Sequence, residues 1–177
     1  MVRSPLFRHS WLVLPALSLQ IAAVYVVPAD HGALPRRLFV AAAYGLLFAM
    51  VWMNRGRWCM RLLAIGLLLN AGALVIGHGL MPVAPDTATA SGLRPLVQNV
   101  HIGSPVPHSK DVLMLRSDTP LWPITDSIAV RLGSLGYAVS PGDLLILLAL
   151  PLGLVEALWY FGSGGEFAGG FAPSPAK

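Results

Sequence analysis

The chain has 177 residues, of which 55% are hydrophobic and only 11% charged. Soluble domains carry roughly 25% charged residues, so the composition excludes an ordinary soluble domain and predicts a membrane protein, with length for one small helical bundle. The net charge of +4 does not point to nucleic acid, because the arginines gather at the ends of apolar runs, where membrane topology accounts for them.

The first ten residues are short and basic (Arg3, Arg8, His9), and residues 11–27 follow without a charge. A basic start before an apolar run also describes a signal peptide, whose apolar core is roughly 7–15 residues. This run is longer and more spans follow, so an uncleaved first helix is expected. Pro15 falls in its first turn, where a missing N–H costs little. Pro28-Ala-Asp-His-Gly and Pro35 predict a turn-rich connection. The second span, residues 38–53, reaches about 24 Å against a hydrocarbon core of roughly 30 Å. Arg36, Arg37 and Arg55 can snorkel to close the gap. Ala41, Ala42, Ala43 and Gly45 give this helix a small-residue face for close packing. Residues 54–61 read as a tight basic turn containing Cys59, which fills space at the membrane boundary. As the single cysteine, it excludes an intrachain disulfide and any Cys-x-x-Cys motif.

The third span, residues 62–83, carries Asn70 near its middle, and that amide should face the bundle interior. Gly77 and Gly79 bracket His78 and Pro82 follows, so the helix is expected to loosen near its end. Residues 84–143 are too polar to span and hold six prolines up to Pro123, against long helices. Residues 112–115 and 122–130 are apolar enough to pack on the bundle. A free coil of this length is unusual in a compact protein, so a folded cap is expected. The fourth span, residues 144–161, opens after Ser140-Pro-Gly-Asp143, where Ser140 or Asp143 can cap the helix. The Gly/Pro/Ala-rich residues 162–177 are expected to be disordered.

The predicted fold is therefore all-α membrane: one domain over residues 1–161, with four transmembrane helices (11–27, 38–53, 62–83, 144–161) and a roughly sixty-residue extracytoplasmic cap between helices 3 and 4. Arg3, Arg8, Arg55, Arg57, Arg61 and Lys177 outweigh Arg36 and Arg37, placing both termini in the cytoplasm of a plasma-membrane protein. Trp11, Trp52, Trp58 and Trp159 fall at the same inner boundary, as an aromatic belt would.

Asp126 and Asp143 are the acids to watch. Brought together outside a membrane, two carboxylates can share a proton and activate water; held apart, Asp143 caps a helix and Asp126 bonds backbone. His78, His101 and His108 lack the spacing of a helical metal motif, so no metal is expected and the histidines are read as structural. Glu156, about 20 Å deeper along the last helix, is expected to pair with a basic turn residue such as Arg57 or Arg61. No phosphate loop, nucleophile elbow, dinucleotide fingerprint or haem motif is present, and no cofactor is expected. Four helices without an internal repeat do not suit a transporter.

Leu69-Asn-Ala-Gly, Gly77-His-Gly-Leu-Met-Pro-Val, His108, Thr119-Pro-Leu-Trp-Pro-Ile-Thr-Asp126 and Ser140-Pro-Gly-Asp143 together resemble a bacterial membrane family known only as a domain of unknown function. The resemblance covers residues 62–161 and departs at His78, where the family more often has Asn. It implies the architecture and brings no activity. Asp126 followed by Ser140-Pro-Gly-Asp143 is also similar in order and spacing to signal peptidase II, a four-span lipoprotein peptidase, whose other motifs are absent. The combined expectation is a non-enzymatic accessory, scaffold or binding component, in contact with lipid and with other membrane subunits, with no nucleic-acid partner. Its polar cluster would be Asn70, His78, His108 and Ser140. The alternative is an aspartic peptidase-like hydrolase using Asp126 and Asp143.

Overall fold

A computed structural model describes residues 7–27, 33–133 and 135–162. The basic residue Arg3, the connection at residues 28–32 and the tail beyond residue 162 lie outside the described residues. The chain opens with a 3-10 turn, Ser10–Leu12, that runs into helix α1 (Val13–Tyr25). Helix α2 (Ala33–Met53) begins earlier than expected and takes in Arg36 and Arg37. Pro35 falls in its first turn, where no intrahelical N–H bond is lost. Helix α3 (Trp58–Ile76) starts inside the expected basic turn and stops seven residues before position 83.

The early end of α3 has a local cause. His78 and Gly79 take left-handed backbone (φ 52° and 93°). The His78 N–H donates to Val75 O at 3.2 Å and the Gly79 N–H to Leu74 O at 2.6 Å. This is the pair of bonds that closes a Schellman motif, and it turns the chain out of the helix. Asn70 therefore lies about 9 Å from the end of α3, rather than at the middle of a longer span.

Beyond α3 the polar segment is folded. Strand β1 (Met81–Val83) leads into two short helices, α4 (Pro85–Ala90) and α5 (Arg94–Val97). Strand β2 (Asp111–Leu113) pairs in parallel with β1, Met81 opposite Asp111 and Val83 opposite Leu113. Single-turn 3-10 helices at Arg116–Asp118 and Trp122–Ile124 follow, short as the prolines predict. Strands β3 (Ile128–Leu132) and β4 (Leu135–Val139) form an antiparallel hairpin that delivers the chain to the last helix, α6 (Pro141–Gly162). Val83, Ala88, Val106 and Leu113 make a core of the segment's own. Ile124 packs instead against the helix core of Ala23, Val40, Ala73, Leu74 and Met81, which joins the two parts.

Three helical stretches, Leu34–Met53, Trp58–Ile76 and Pro141–Gly162, are long and apolar enough to cross a membrane. Ser10–Tyr25 is apolar but shorter, at about 24 Å. Helix α1 packs on α2, and α3 packs antiparallel on α6. The α3–α6 pair closes at two glycines: a Cβ on Gly142 would collide with Gly66 O and Asn70 Oδ1, and one on Gly66 would meet Gly142 O at 2.7 Å. At the opposite end of this pair, the Glu156 carboxylate accepts from the Cys59 N–H at 3.1 Å and from Sγ at 3.2 Å. It thus satisfies one of the free N–H groups that begin α3. The sequence places Glu156 beside the basic turn, and the helix register brings its carboxylate onto the first turn of α3 there.

Candidate functional site

The polar groups converge where α3 ends, α6 begins and the folded segment sits on both. The Ser140-Pro-Gly-Asp143 motif forms a reciprocal cap. Ser140 Oγ accepts from the Asp143 N–H at 3.0 Å, and Asp143 Oδ2 accepts from the Ser140 N–H at 3.2 Å. That is a capping box with Asp in place of the usual Glu. Asn70 reaches it from α3. Its Nδ2 donates to Asp143 Oδ1 at 2.6 Å, and its Oδ1 accepts from Ser140 Oγ at 2.7 Å. Gly142 carries no side chain because the Asn70 amide occupies that space.

Asp126 enters from the other side. Its N–H donates to Pro82 O at 3.1 Å and it bridges to Val83, so β1 lies between β2 and Asp126. Lys110 is carried in just ahead of β2, its backbone O accepting from the Met81 N–H. The Lys110 ammonium stands 3.7 Å from Asp126 Oδ2 and 3.6 Å from Asp143 Oδ2. Hence the two acids weighed as a pair or as separate caps do share a neighbourhood, and one ammonium contacts both. Tyr44 of α2 borders the same cluster, near Asn70.

Burial divides these groups. The Asp126 side chain is fully enclosed, whereas Lys110 keeps 35% of its surface and Asp143 25%. Neither Asp126 oxygen has a hydrogen-bond donor, and one oxygen of the buried neighbour Asp111 also lacks one. The other Asp111 oxygen accepts from Ser109 Oγ at 2.6 Å. Burial raises the Asp126 carboxyl well above the usual carboxylate range; Lys110 opposes the shift, and Asp111 and Asp143 add to it. A proton on Asp126 would be a donor for Asp111, satisfying two groups at once. Burial works against the Lys110 ammonium, but the charges of Asp126, Asp143 and Asp111 outweigh it and raise its pKa. Beside Asp126, Pro82, Met114, Thr119, Trp122 and Thr125 line a niche of about 10 Å³, the scale of one water. Arg116 flanks it, stacked on Trp122 and paired with Asp86 at 2.7 Å.

Of the six residues singled out from the sequence, Asn70, Asp126, Ser140 and Asp143 come together. His78 and His108 do not join them: both are exposed, at left-handed turn positions (φ 52° and 53°). Lys110, Asp111 and Tyr44 were missed. Lys110 has a signal in the sequence, as one of two lysines, set at the head of an apolar run. Among the described residues no group of three or more His, Cys, Asp or Glu is placed to hold a metal ion.

A family model matches residues 6–155, which takes in the whole cluster and all but the end of α6. The chain belongs to DUF5317, a family of unknown function. The DUF5317 match extends well before residue 62, so α1 and α2 belong to the shared unit together with the motif-bearing half. No curated protein and no solved structure matches this DUF5317 chain.

Proposed function

We propose that this DUF5317 member is a four-span membrane protein with both termini cytoplasmic and residues 77–140 as an ordered outer cap, and that it acts as a non-enzymatic accessory or binding component. The membrane reading is supported by the outer faces of the helices. Leu147, Leu150, Leu154 and Leu158 of α6 are all more than half exposed, in an apolar band a water-soluble surface does not tolerate. Arg8, Arg55, Arg57 and Arg61 lie at the end opposite the polar segment, which favours that end as cytoplasmic. Arg36, the main contrary charge, is buried and donates to Val106 O at 3.2 Å and Val27 O at 3.4 Å, so it serves the fold.

The observation that carries the non-enzymatic reading is the Lys110 ammonium in contact with both Asp126 and Asp143. A peptidase dyad needs two carboxylates that share one proton over a common water. Here a cation pairs with both carboxylates, Asp143 is committed to a capping box and Asn70, and Asp126 is sealed from solvent. Such an arrangement ties the cap to α3 and α6 and leaves other surfaces for partners, expected to be other membrane subunits. The test is complementation of a deletion strain by Asp126→Asn and Asp143→Asn, with accumulation in the membrane checked for each. An accessory role predicts that Asp126→Asn complements. Failure of both variants at wild-type abundance would return the hydrolase reading.

A further inference from the structure

We propose that the turn at residues 119–125 is a foot by which the folded segment stands in the bilayer, with Leu121 inserted at the boundary between lipid headgroups and acyl chains; this rests on the membrane reading above. Its depth follows from Ile124. That side chain packs against the cluster that includes Ala73 and Leu74 of α3, and its Cδ1 lies 3.5 Å from where Gly72 would carry a Cβ. Gly72 stands about 6 Å inside the end of α3, a helix whose length of about 28 Å nearly matches a hydrocarbon core of roughly 30 Å. The Ile124 N–H donates to Leu121 O at 3.0 Å, so Leu121 lies within one 3-10 turn, about 6 Å, of that level. Leu121 thus falls at the edge of the hydrocarbon layer.

The local chemistry suits that medium. Leu121 is 69% exposed and holds left-handed backbone (φ 54°), a conformation that a leucine adopts at a cost. In water its exposed side chain offsets none of that cost, whereas beside lipid tails the side chain is out of water. No residue from 119 to 125 is charged. Pro120 and Pro123 have no N–H to satisfy, and the Trp122, Ile124 and Thr125 N–H groups donate within the turn at 3.2, 3.0 and 3.0 Å. The Thr119 and Thr125 hydroxyls donate to Leu115 O and Trp122 O. Backbone at membrane depth must find its partners in protein, and this turn supplies these bonds itself. The Arg116 guanidinium, already paired with Asp86, stacks on the Trp122 ring at 4.3 Å, and that indole also walls the polar niche beside Asp126. An indole set between an apolar tip and a polar cluster is the arrangement favoured at a membrane–water interface. The tip itself exposes Pro120, Leu121 and Pro123, far less than the roughly 800 Å² per partner of a stable protein interface, so lipid is the occupant it fits.

Leu121→Cys, in the full chain carrying Cys59→Ser, is labelled with the environment-sensitive fluorophore nitrobenzoxadiazole and reconstituted into phosphatidylcholine vesicles. Thr89→Cys on α4 and Leu150→Cys on α6 carry the same label for comparison, one exposed on the folded segment and the other on the apolar band. The label at Leu121→Cys should emit further to the blue than the label at Thr89→Cys. Phosphatidylcholine spin-labelled near its headgroup should quench it about twofold more than it quenches Thr89→Cys, and more than lipid spin-labelled at the chain end does. Where Leu121→Cys does not accumulate, Pro120→Cys, exposed beside it, takes its place. Emission and quenching equal to those of Thr89→Cys, with Leu150→Cys quenched, overturn the foot and leave the membrane reading standing. Failure of Leu150→Cys to be quenched refutes the membrane reading itself. Unlabelled Leu121→Cys chains that oxidise to a disulfide-linked dimer in the vesicles, when Leu150→Cys chains do not, also overturn the foot and assign the tip to a second copy.

Discussion

Asn70→Ala is the perturbation that most directly tests how the folded segment is held. The Asn70 amide is buried on α3 and makes two bonds into the start of α6, one to the Asp143 carboxylate at 2.6 Å and one from the Ser140 hydroxyl at 2.7 Å. A hydrogen bond to a charged acceptor contributes about 1.5–3 kcal/mol and one between neutral groups about 0.5–1.5. Interhelical bonds in lipid average only about 0.6 kcal/mol, because the separated helices find other partners. Asn70 lies near the helix end and Asp143 is partly exposed, so the total falls between these limits, at about 1–3 kcal/mol. For a chain of this size that lowers Tm by roughly 3–10 °C. Thermal melts of detergent-solubilised wild type, Asn70→Ala, Ser140→Ala and the double variant complete a cycle. The two positions should couple by more than about 0.5 kcal/mol, as residues in one network do. Additive effects, or an Asn70→Ala melt within 1 °C of wild type by the same scaling, would refute the reasoning that Asn70 bonds the capping box.

Gly142→Ala should destabilise by about 1–3 kcal/mol, since the added methyl meets Asn70 Oδ1 and Gly66 O. Gly45→Ala, where a Cβ meets nothing within 4 Å, should instead gain up to about 1 kcal/mol of helix propensity; melts of both against wild type decide this, and equal behaviour would mean α3 and α6 do not touch at Gly142. Asp126 has a folded-state pKa above its unfolded value, so once pH rises past the usual carboxylate range the native state holds a proton that the unfolded state has released. Stability must therefore fall as pH rises through that window. Melts recorded from acid to neutral pH should show this slope in wild type and a smaller one in Asp126→Asn; a slope of opposite sign, unchanged in the variant, would show that Asp126 is ionised throughout. Glu156→Ala removes the acceptor for the Cys59 N–H and should cost about 0.5–2 kcal/mol, the range for losing a helix cap. It should also speed Cys59 labelling by a membrane-permeant maleimide, and an unchanged labelling rate would count against the Glu156–Cys59 contact.

Much of this protein is legible one residue at a time. The apolar runs predict the long helices because burying or exposing a side chain to hydrocarbon is a local preference, summed along the segment. Ser140-Pro-Gly-Asp143 predicts a capped helix start for the same reason: both bonds of the box lie within four residues. The end of α3 falls earlier than the hydropathy predicts because the apolar pattern runs on through Leu80 and Met81. The backbone turns at His78 and Gly79, and both later residues pack as the base of the folded segment. Only the tertiary structure decided what the acids do. Asp126 and Asp143 are visible as candidates, but Lys110 reaches both through the parallel pairing of β1 with β2, a register that no local pattern encodes. Likewise Glu156 meets Cys59 across 97 positions because α3 and α6 pack antiparallel at Gly66 and Gly142. Hydropathy and capping are short-range and additive along the chain. The neighbours of a buried charge are set by packing between distant segments, and that geometry gave two carboxylates, candidates for a pair or for separate caps, one ammonium in common.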